Sequence, residues 1–373
     1  MTGQGRGMVR DDSGMTRERD GMTSGGMTTV GSASDGMTNG VTMAERSRAA
    51  GVLLGQACGD ALGVPYEFAA PLRGEASMIG GGLGPYAPGQ WSDDTEMAVC
   101  IARVSATGVD LTSAAADDAI AEGFEEWLRG GARDVGAHTR ALLVEARRLV
   151  GSAGERVRTA SVARHARTGH TAGNGALMRT GIVGISRLND REMTAASARS
   201  VASLTHADPL AGDSCVLWAE AVRVAVREGR LDVAGGLDLL PSERRDTWLG
   251  WVDAAESGSA TLRPNGFTVT ALQAAWAAIV STQDDGDGVE PVGASSGSAS
   301  GSQPGHLERA LQAAVRIGDD TDTVAAIAGA LLGARYGIEA IPAVWRADVH
   351  GWPGLRADDL IDLAVRTAES GRR

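Results

Sequence analysis

The 373-residue sequence predicts an all-α protein, and three observations carry that prediction. Aromatic residues make up only 4% of the chain, so the aromatic and β-branched surplus that sheets favour is missing. Ala, Leu and Arg are abundant, which suits packed helices. From residue 44 onward apolar residues recur at helical spacing, and no Asn-Gly turn joins two alternating apolar runs.

The elements follow in order. Residues 1–43 are Gly/Met/Thr/Ser-rich and repeat Gly-Met-Thr around Met15, Met22, Met27 and Met37, so a disordered extension is expected there, with a translation start near Met43. A helix over 44–61 is read from the stripe Ala50, Leu53, Leu54, Ala57 and Cys58. One over 95–104 is read from Met97, Ala98, Ile101 and Ala102. Segments 137–150, 195–204, 213–227, 269–280, 307–317 and 324–336 fit helices better than strands. The Ser/Gly-rich stretch 284–305 reads as a surface loop interrupting a single domain over 44–370.

Composition removes whole mechanisms. All 35 basic residues are Arg, and Lys is absent. No Walker P-loop, no pyridoxal or Schiff-base lysine and no Ser-x-x-Lys acylase is therefore available. A net charge of −12 argues against a nucleic-acid patch or an anionic membrane surface as partner. Cys58, Cys100 and Cys215 are odd in number and far apart, which reads as reduced thiols in a cytoplasmic protein. No apolar leader opens the chain, and the longest apolar stretch, 268–280, is too short to span a bilayer. A monomer is expected.

Chemistry concentrates at two predicted helix starts, Trp91-Ser92-Asp93-Asp94-Thr95-Glu96 and Gly318-Asp319-Asp320-Thr321-Asp322-Thr323. Capping explains one acid per helix, because a single side chain satisfies the exposed N–H groups. Adjacent acids repel unless something neutralises them, and a hard divalent cation does so with carboxylate and hydroxyl ligands. Asp60 reads as a capping or outer residue, and Glu67 alone would be an ordinary solvated loop acid.

Taken together, these strings resemble the ADP-ribosylglycohydrolase family. The matching segments are Gly59-Asp60-Ala61-Leu62-Gly63-x-Pro65-x-Glu67, Ser92-Asp93-Asp94-Thr95, Gly173-Asn174-Gly175-Ala176-Leu177-Met178-Arg179, Thr205-His206-Ala207-Asp208-Pro209 and Asp320-Thr321-Asp322-Thr323, in the family's order. The resemblance implies a compact orthogonal multi-helix bundle with two divalent cations, Mg²⁺ or Mn²⁺, at the bottom of a cleft. Ser92, Asp93 and Asp94 would serve one side and Asp320, Asp322 and Thr323 the other, with Asp322 as the bridge. Glu67 would sit over the ribose. Gly173, Asn174, Gly175 and His206 would lie towards the diphosphate. This chain has Ser92 where relatives usually have Thr, and Asp319 where they commonly have Gly or Asn; Asp319 is expected simply to face water.

The implied reaction cleaves the glycosidic bond between ADP-ribose and an acceptor, with an ADP-ribosylated substrate as partner. Glu67 is the first candidate for proton transfer or substrate positioning, and Asp93 the second. His206 is kept as a phosphate contact and excluded as a metal ligand, because hard cations prefer oxygen. Arg179 has an alternative reading as a surface charge. Two rival functions stand beside this one. The first is a haloacid-dehalogenase-type phosphatase using Asp320-x-Asp322 after a strand of a parallel sheet. The second is a non-catalytic ADP-ribose-binding relative.

Overall fold

Thr42 and Glu45 start the first helix by reciprocal capping. Thr42 Oγ1 accepts the Glu45 N–H at 3.1 Å, and Glu45 Oε2 accepts the Thr42 N–H at 3.0 Å. This computed structural model describes residues 41–130, 132–284 and 305–371, all within a unit spanning Gly36–Arg373. The expected extension lies outside the described residues as far as residue 40; Val41 is buried and Thr42 caps, so its last residues join the fold. The low-complexity stretch 285–304 also lies outside them.

Among the described residues the helices are α1 (Met43–Gly63), α2 (Asp93–Ser105), α3 (Ala114–Arg129), α4 (Ala137–Ala146), α5 (Ala153–Thr168), α6 (Arg191–Ser203) and α7 (Pro209–Glu228). They continue with α8 (Ser242–Glu256), α9 (Thr268–Val280), α10 (His306–Ile317), α11 (Thr321–Tyr336), α12 (Ala343–Asp348) and α13 (Ala357–Ser370). The eight helices expected from periodicity are all present, although the one from Ala137 ends early at Ala146. Helices α3, α5, α8, α12 and α13 were not anticipated. Polar α5 and α8 each bury few apolar residues, among them Val157 and Ala160 in one and Trp248 and Val252 in the other, so their periodicity is faint. In α3 the stripe Ile120, Phe124 and Trp127 was readable at helical spacing.

Helices α1 and α11 form the centre of the core. Glycine recurs every four residues on one face of α1, at 51, 55, 59 and 63, and all of these positions are buried. A methyl group on Gly55 would stand 2.3 Å from the Gly329 carbonyl oxygen, and one on Gly59 would stand 2.0 Å from that of Ala325. The two backbones therefore touch directly, which no larger residue permits. At the end of this seam Gly63 meets the backbone of Asp322, where a methyl group would lie 2.4 Å from its Cα. The close approach brings the C-terminal end of α1 to the N-terminal end of α11.

The one sheet among the described residues is a two-stranded antiparallel ribbon, β1 (His350–Gly351) and β2 (Leu355–Arg356). The Asp320-x-Asp322 string follows no strand; it opens α11. The phosphatase reading needs a parallel sheet beside that motif, so the fold removes it. No helix of the described residues is long and apolar enough to cross a membrane.

Candidate active site

Ser92 precedes α2, yet its side chain does not cap that helix. Asp60, near the end of α1, supplies the cap from outside. Its Oδ1 accepts the N–H and the hydroxyl of Ser92, each at 2.8 Å. Its Oδ2 accepts the N–H of Thr95 at 3.0 Å and the hydroxyl at 2.6 Å. One buried carboxylate thus satisfies four donors from a segment more than thirty residues away, |i−j| = 32 and 35. Asp93 and Asp94 are released from capping. Oδ1 of buried Asp94 has no hydrogen-bond partner among the described residues.

The second acidic string behaves alike. Asp320 precedes α11 without capping it. Its Oδ2 accepts from Asn174 Nδ2 at 2.7 Å, and its N–H donates to Asn265 Oδ1 at 3.0 Å. Thr321 Oγ1 donates to the Gly63 carbonyl at 2.9 Å, tying the string to the glycine seam. The Thr323 hydroxyl lies near the carboxylates of Asp94 and Asp320 and counters their upward shift, and its N–H donates to Asp322 Oδ1 at 3.0 Å.

The two strings meet. Ser92 Oγ lies 3.2 Å from Asp94 Oδ2 and 3.4 Å from Asp322 Oδ2, across 230 residues of sequence. Carboxylate oxygens of Asp60, Asp94 and Asp322 lie within 4.8 Å of one another, and so do those of Glu67, Asp320 and Asp322. Asp322 belongs to both groups. Asp93 belongs to neither, but it is close enough to Glu67, Asp134 and Asp320 to act on them electrostatically.

Glu67 follows a short 3-10 turn, Val64–Tyr66, at the exit of α1. The next residue, Phe68, has a left-handed φ of +48°, and Asp319 has one of +60°. These two strained residues are joined by a hydrogen bond from the Phe68 N–H to the Asp319 carbonyl at 2.7 Å. The bond holds Glu67 beside Asp320. The left-handed backbone also explains why Gly or Asn suits position 319. The Asp319 carboxylate does not simply face water, because it pairs with Arg263 at 3.4 Å.

Two residues of the site were not singled out in the sequence. Asp134, in the loop between α3 and α4, hydrogen-bonds the Glu67 side chain. Its N–H donates to the Tyr86 hydroxyl at 3.2 Å. Asn265 braces both Asn174 and Asp320. Neither lies in a motif or on a helical stripe, so no local signal marked them.

The electrostatics are one-sided. Burial, followed by neighbouring carboxylates, pushes Asp93, Asp94 and Asp322 well above the usual carboxylate range. Asp320 is also raised, mainly by burial. Burial lifts Asp60 to about 6 against the pull of its four donors. Burial and then Asp134, Asp320 and Asp93 lift Glu67 to about 9. Such a cluster must hold protons or cations. The donors are carboxylate and hydroxyl oxygens, with the partnerless Asp94 Oδ1 among them. That chemistry fits hard divalent cations.

On the other wall, the turn Gly173-Asn174-Gly175 packs against the buried ring of His206. A methyl group on Gly175 would stand 3.2 Å from His206 Cε1. Asn174 has a role that the sequence did not suggest, since its amide is engaged by Asp320 and by the Asn265 carbonyl. Arg179 is not a surface charge: it is fully buried, at 0% exposure. His206 is held well below the ordinary histidine range by burial, His138 and Arg179, which makes it a neutral imidazole.

Comparison with known proteins identifies the family. A family model described as ADP-ribosylglycohydrolase matches residues 42–373. The ADP-ribosylarginine hydrolase Tri1 of Serratia proteamaculans is 27% identical over 308 residues, 80% of this chain and 74% of its own. The ADP-ribosyl-[dinitrogen reductase] glycohydrolase of Rhodospirillum rubrum is 28% identical over 315 residues, 80% of this chain and 88% of its own. A solved structure of an ADP-ribosylglycohydrolase-related protein complex superposes with a TM-score of 0.61 at 25% identity, covering 88% of this chain and 99% of that one. With the acid strings, their meeting point and a family match over almost all described residues, the chain belongs to the ADP-ribosylglycohydrolase family.

Proposed function

We propose that this glycohydrolase cleaves the bond between the distal ribose of ADP-ribose and an acceptor nitrogen, with an arginine side chain as the acceptor. The observation that carries the reading is the buried meeting of Ser92, Asp94 and Asp322 with Glu67 and Asp320 in one oxygen-only cluster. The arginine acceptor is supported by two relatives named ADP-ribosylarginine hydrolase. The three free, buried cysteines suit a reducing compartment such as the cytoplasm. Residues 44–370 are read as one catalytic domain.

Ser92, Asp94, Asp320, Asp322 and Thr323 would hold two cations, Mg²⁺ or Mn²⁺, with Asp322 shared, while Asp60, its oxygens filled by four donors, would fix Ser92 and Thr95 behind them. When bound, the cations supply Lewis acidity and a polarised water. The chain's own residues do the rest. Glu67, whose carboxyl is raised in the cation-free protein by burial and by Asp134, Asp320 and Asp93, is placed to give a proton to the departing nitrogen as the C–N bond breaks and water adds to the anomeric carbon. Asp93 faces the developing positive charge of an oxocarbenium-like transition state. The Asn174 N–H is held by the Gly266 carbonyl at 3.0 Å, so the flanking Gly173 and Gly175 and the neutral His206 would receive the diphosphate, which suits a chain without lysine.

The test is release of ADP-ribose from ADP-ribosyl-arginine, ADP-ribosyl-serine and ADP-ribosylated DNA ends, with Mg²⁺, Mn²⁺ or chelator. Turnover of the arginine conjugate, lost with chelator and in both Asp320→Ala and Asp322→Ala, is expected. Activity surviving both substitutions refutes the proposed centre.

A further inference from the structure

Arg179 follows the glycine turn on a short 3-10 helix, Leu177–Arg179, and is among the largest fully buried side chains. Its Nη1 donates to the Gly175 carbonyl at 2.6 Å, and its Nη2 to Thr205 Oγ1 at 2.8 Å. The guanidinium lies 4.9 Å from the centre of the Phe124 ring, and Nε has no partner among the described residues. A buried cation held by a carbonyl and a hydroxyl is an expensive arrangement unless it does something further.

Proton accounting shows what it does. A guanidinium only donates, so Thr205 Oγ1 accepts from Arg179. The remaining contact of that hydroxyl is His206 Nδ1, at 2.7 Å. For the buried hydroxyl proton to be used, Nδ1 must accept it. The neutral imidazole then carries its proton on Nε2. That nitrogen lies against the turn, 3.3 Å from where a methyl group on Gly175 would stand and 3.5 Å from one on Gly173. The neighbouring ring of His138, 4.6 Å away, repeats the pattern: Arg164 Nε donates to its Nδ1 at 3.3 Å, and its Nε2 meets the Thr205 carbonyl at 2.8 Å.

We propose that Arg179 is a positioning residue for the substrate diphosphate. Through Thr205 it fixes His206 as the Nε2–H tautomer, and through the Gly175 carbonyl it sets the glycine turn, so that the imidazole N–H is held at the turn to meet one phosphate oxygen. This rests on the ADP-ribosyl substrate proposed above. Two divergent acceptors served from one rigid plane require arginine; lysine offers a single point of charge.

Long-range ¹⁵N–¹H NMR of the full chain reads the tautomer directly, with His206→Gln assigning the signal. Wild type should show a bare Nδ1 and a protonated Nε2. Thr205→Val keeps the side-chain shape and removes the relay, and Arg179→Lys tests the fork. Each should mix the tautomers and weaken ADP-ribose binding by ~10-fold, the loss expected for about one hydrogen bond to a charged group. KM should rise with kcat nearly unchanged, and Thr205→Ser should restore both. A protonated Nδ1 in wild-type protein that binds ADP-ribose overturns the proposal alone, as does wild-type affinity in Thr205→Val. An Nε2–H tautomer in wild-type protein that binds no ADP-ribose overturns the functional reading, and the phosphate assignment with it.

Discussion

Asn174 Nδ2 stands 2.7 Å from Asp320 Oδ2, although 146 residues separate them in sequence. The turn assigned to the diphosphate and the acid string assigned to the cations are therefore one mechanical unit. Replacing Asn174 with Ala frees the carboxylate to rotate. The Mn²⁺ concentration for half-maximal activity should rise by roughly 10–100-fold, the usual loss when a partner of a metal ligand is removed. An unchanged Mn²⁺ titration would show that Asn174 does not orient Asp320.

Asp60→Asn replaces an acceptor of four hydrogen bonds with a group that presents one acceptor oxygen. At least two buried donors from Ser92 and Thr95 lose their partner. Urea unfolding with Mg²⁺ present should show a loss of about 2–6 kcal/mol, since each of the two orphaned donors costs about 1–3 kcal/mol. Wild-type stability in this variant would mean that α2 does not depend on the external cap.

Gly55→Ala forces a methyl group to within 2.3 Å of a backbone oxygen that no side-chain rotation can move. Overpacking of this kind costs about 1–3 kcal/mol and occasionally more. A lowered urea midpoint is expected, together with weaker cation binding because α11 is pushed off α1. A variant with unaltered stability and activity would contradict the described seam.

The acids also set a pH dependence in chelated protein. Glu67 moves from an ordinary 4.5 in the unfolded chain to about 9 in the folded one. Between those values the folded state holds more protons than the unfolded state, so stability falls as pH rises. Urea midpoints with chelator should decline from pH 5 to 9, and Glu67→Gln should flatten the decline. A midpoint that climbs over this window would reverse the sign. Added Mn²⁺ should restore more stability at pH 8 than at pH 6, because the cations compete with protons for the same oxygens.

What was legible in the sequence was local. The acid strings stood out because carboxylates crowd two helix starts beyond any capping need, and neither Ser92 nor Asp320 caps its own helix. Helices with broad apolar stripes, such as α7 and α9, were readable from spacing alone. Asp134 was invisible because it is one acid in an Arg/Gly loop, and its meaning lies in a contact with Glu67. Asp60 was legible as a cap, but not as the cap of another helix. Arg179 misled because burial of an arginine depends on the distant Thr205 and Phe124. The ribbon at His350–Arg356 carries Trp352-Pro353-Gly354 at its turn, which no two-residue hairpin rule detects.

The glycines of α1 count in steps of four, and Asp60 sits one place beyond the third of them. A single extra residue between Gly55 and Gly59 would rotate everything after it by about 100° and advance it by about 1.5 Å. Asp60 would then turn away from Ser92, and the next backbone crossing would land on a bulky side chain. The seam acts as a vernier that sets the register of two carboxylate-bearing helix ends. Growth in length is therefore barred from this helix and confined to the stretches of chain outside the pair.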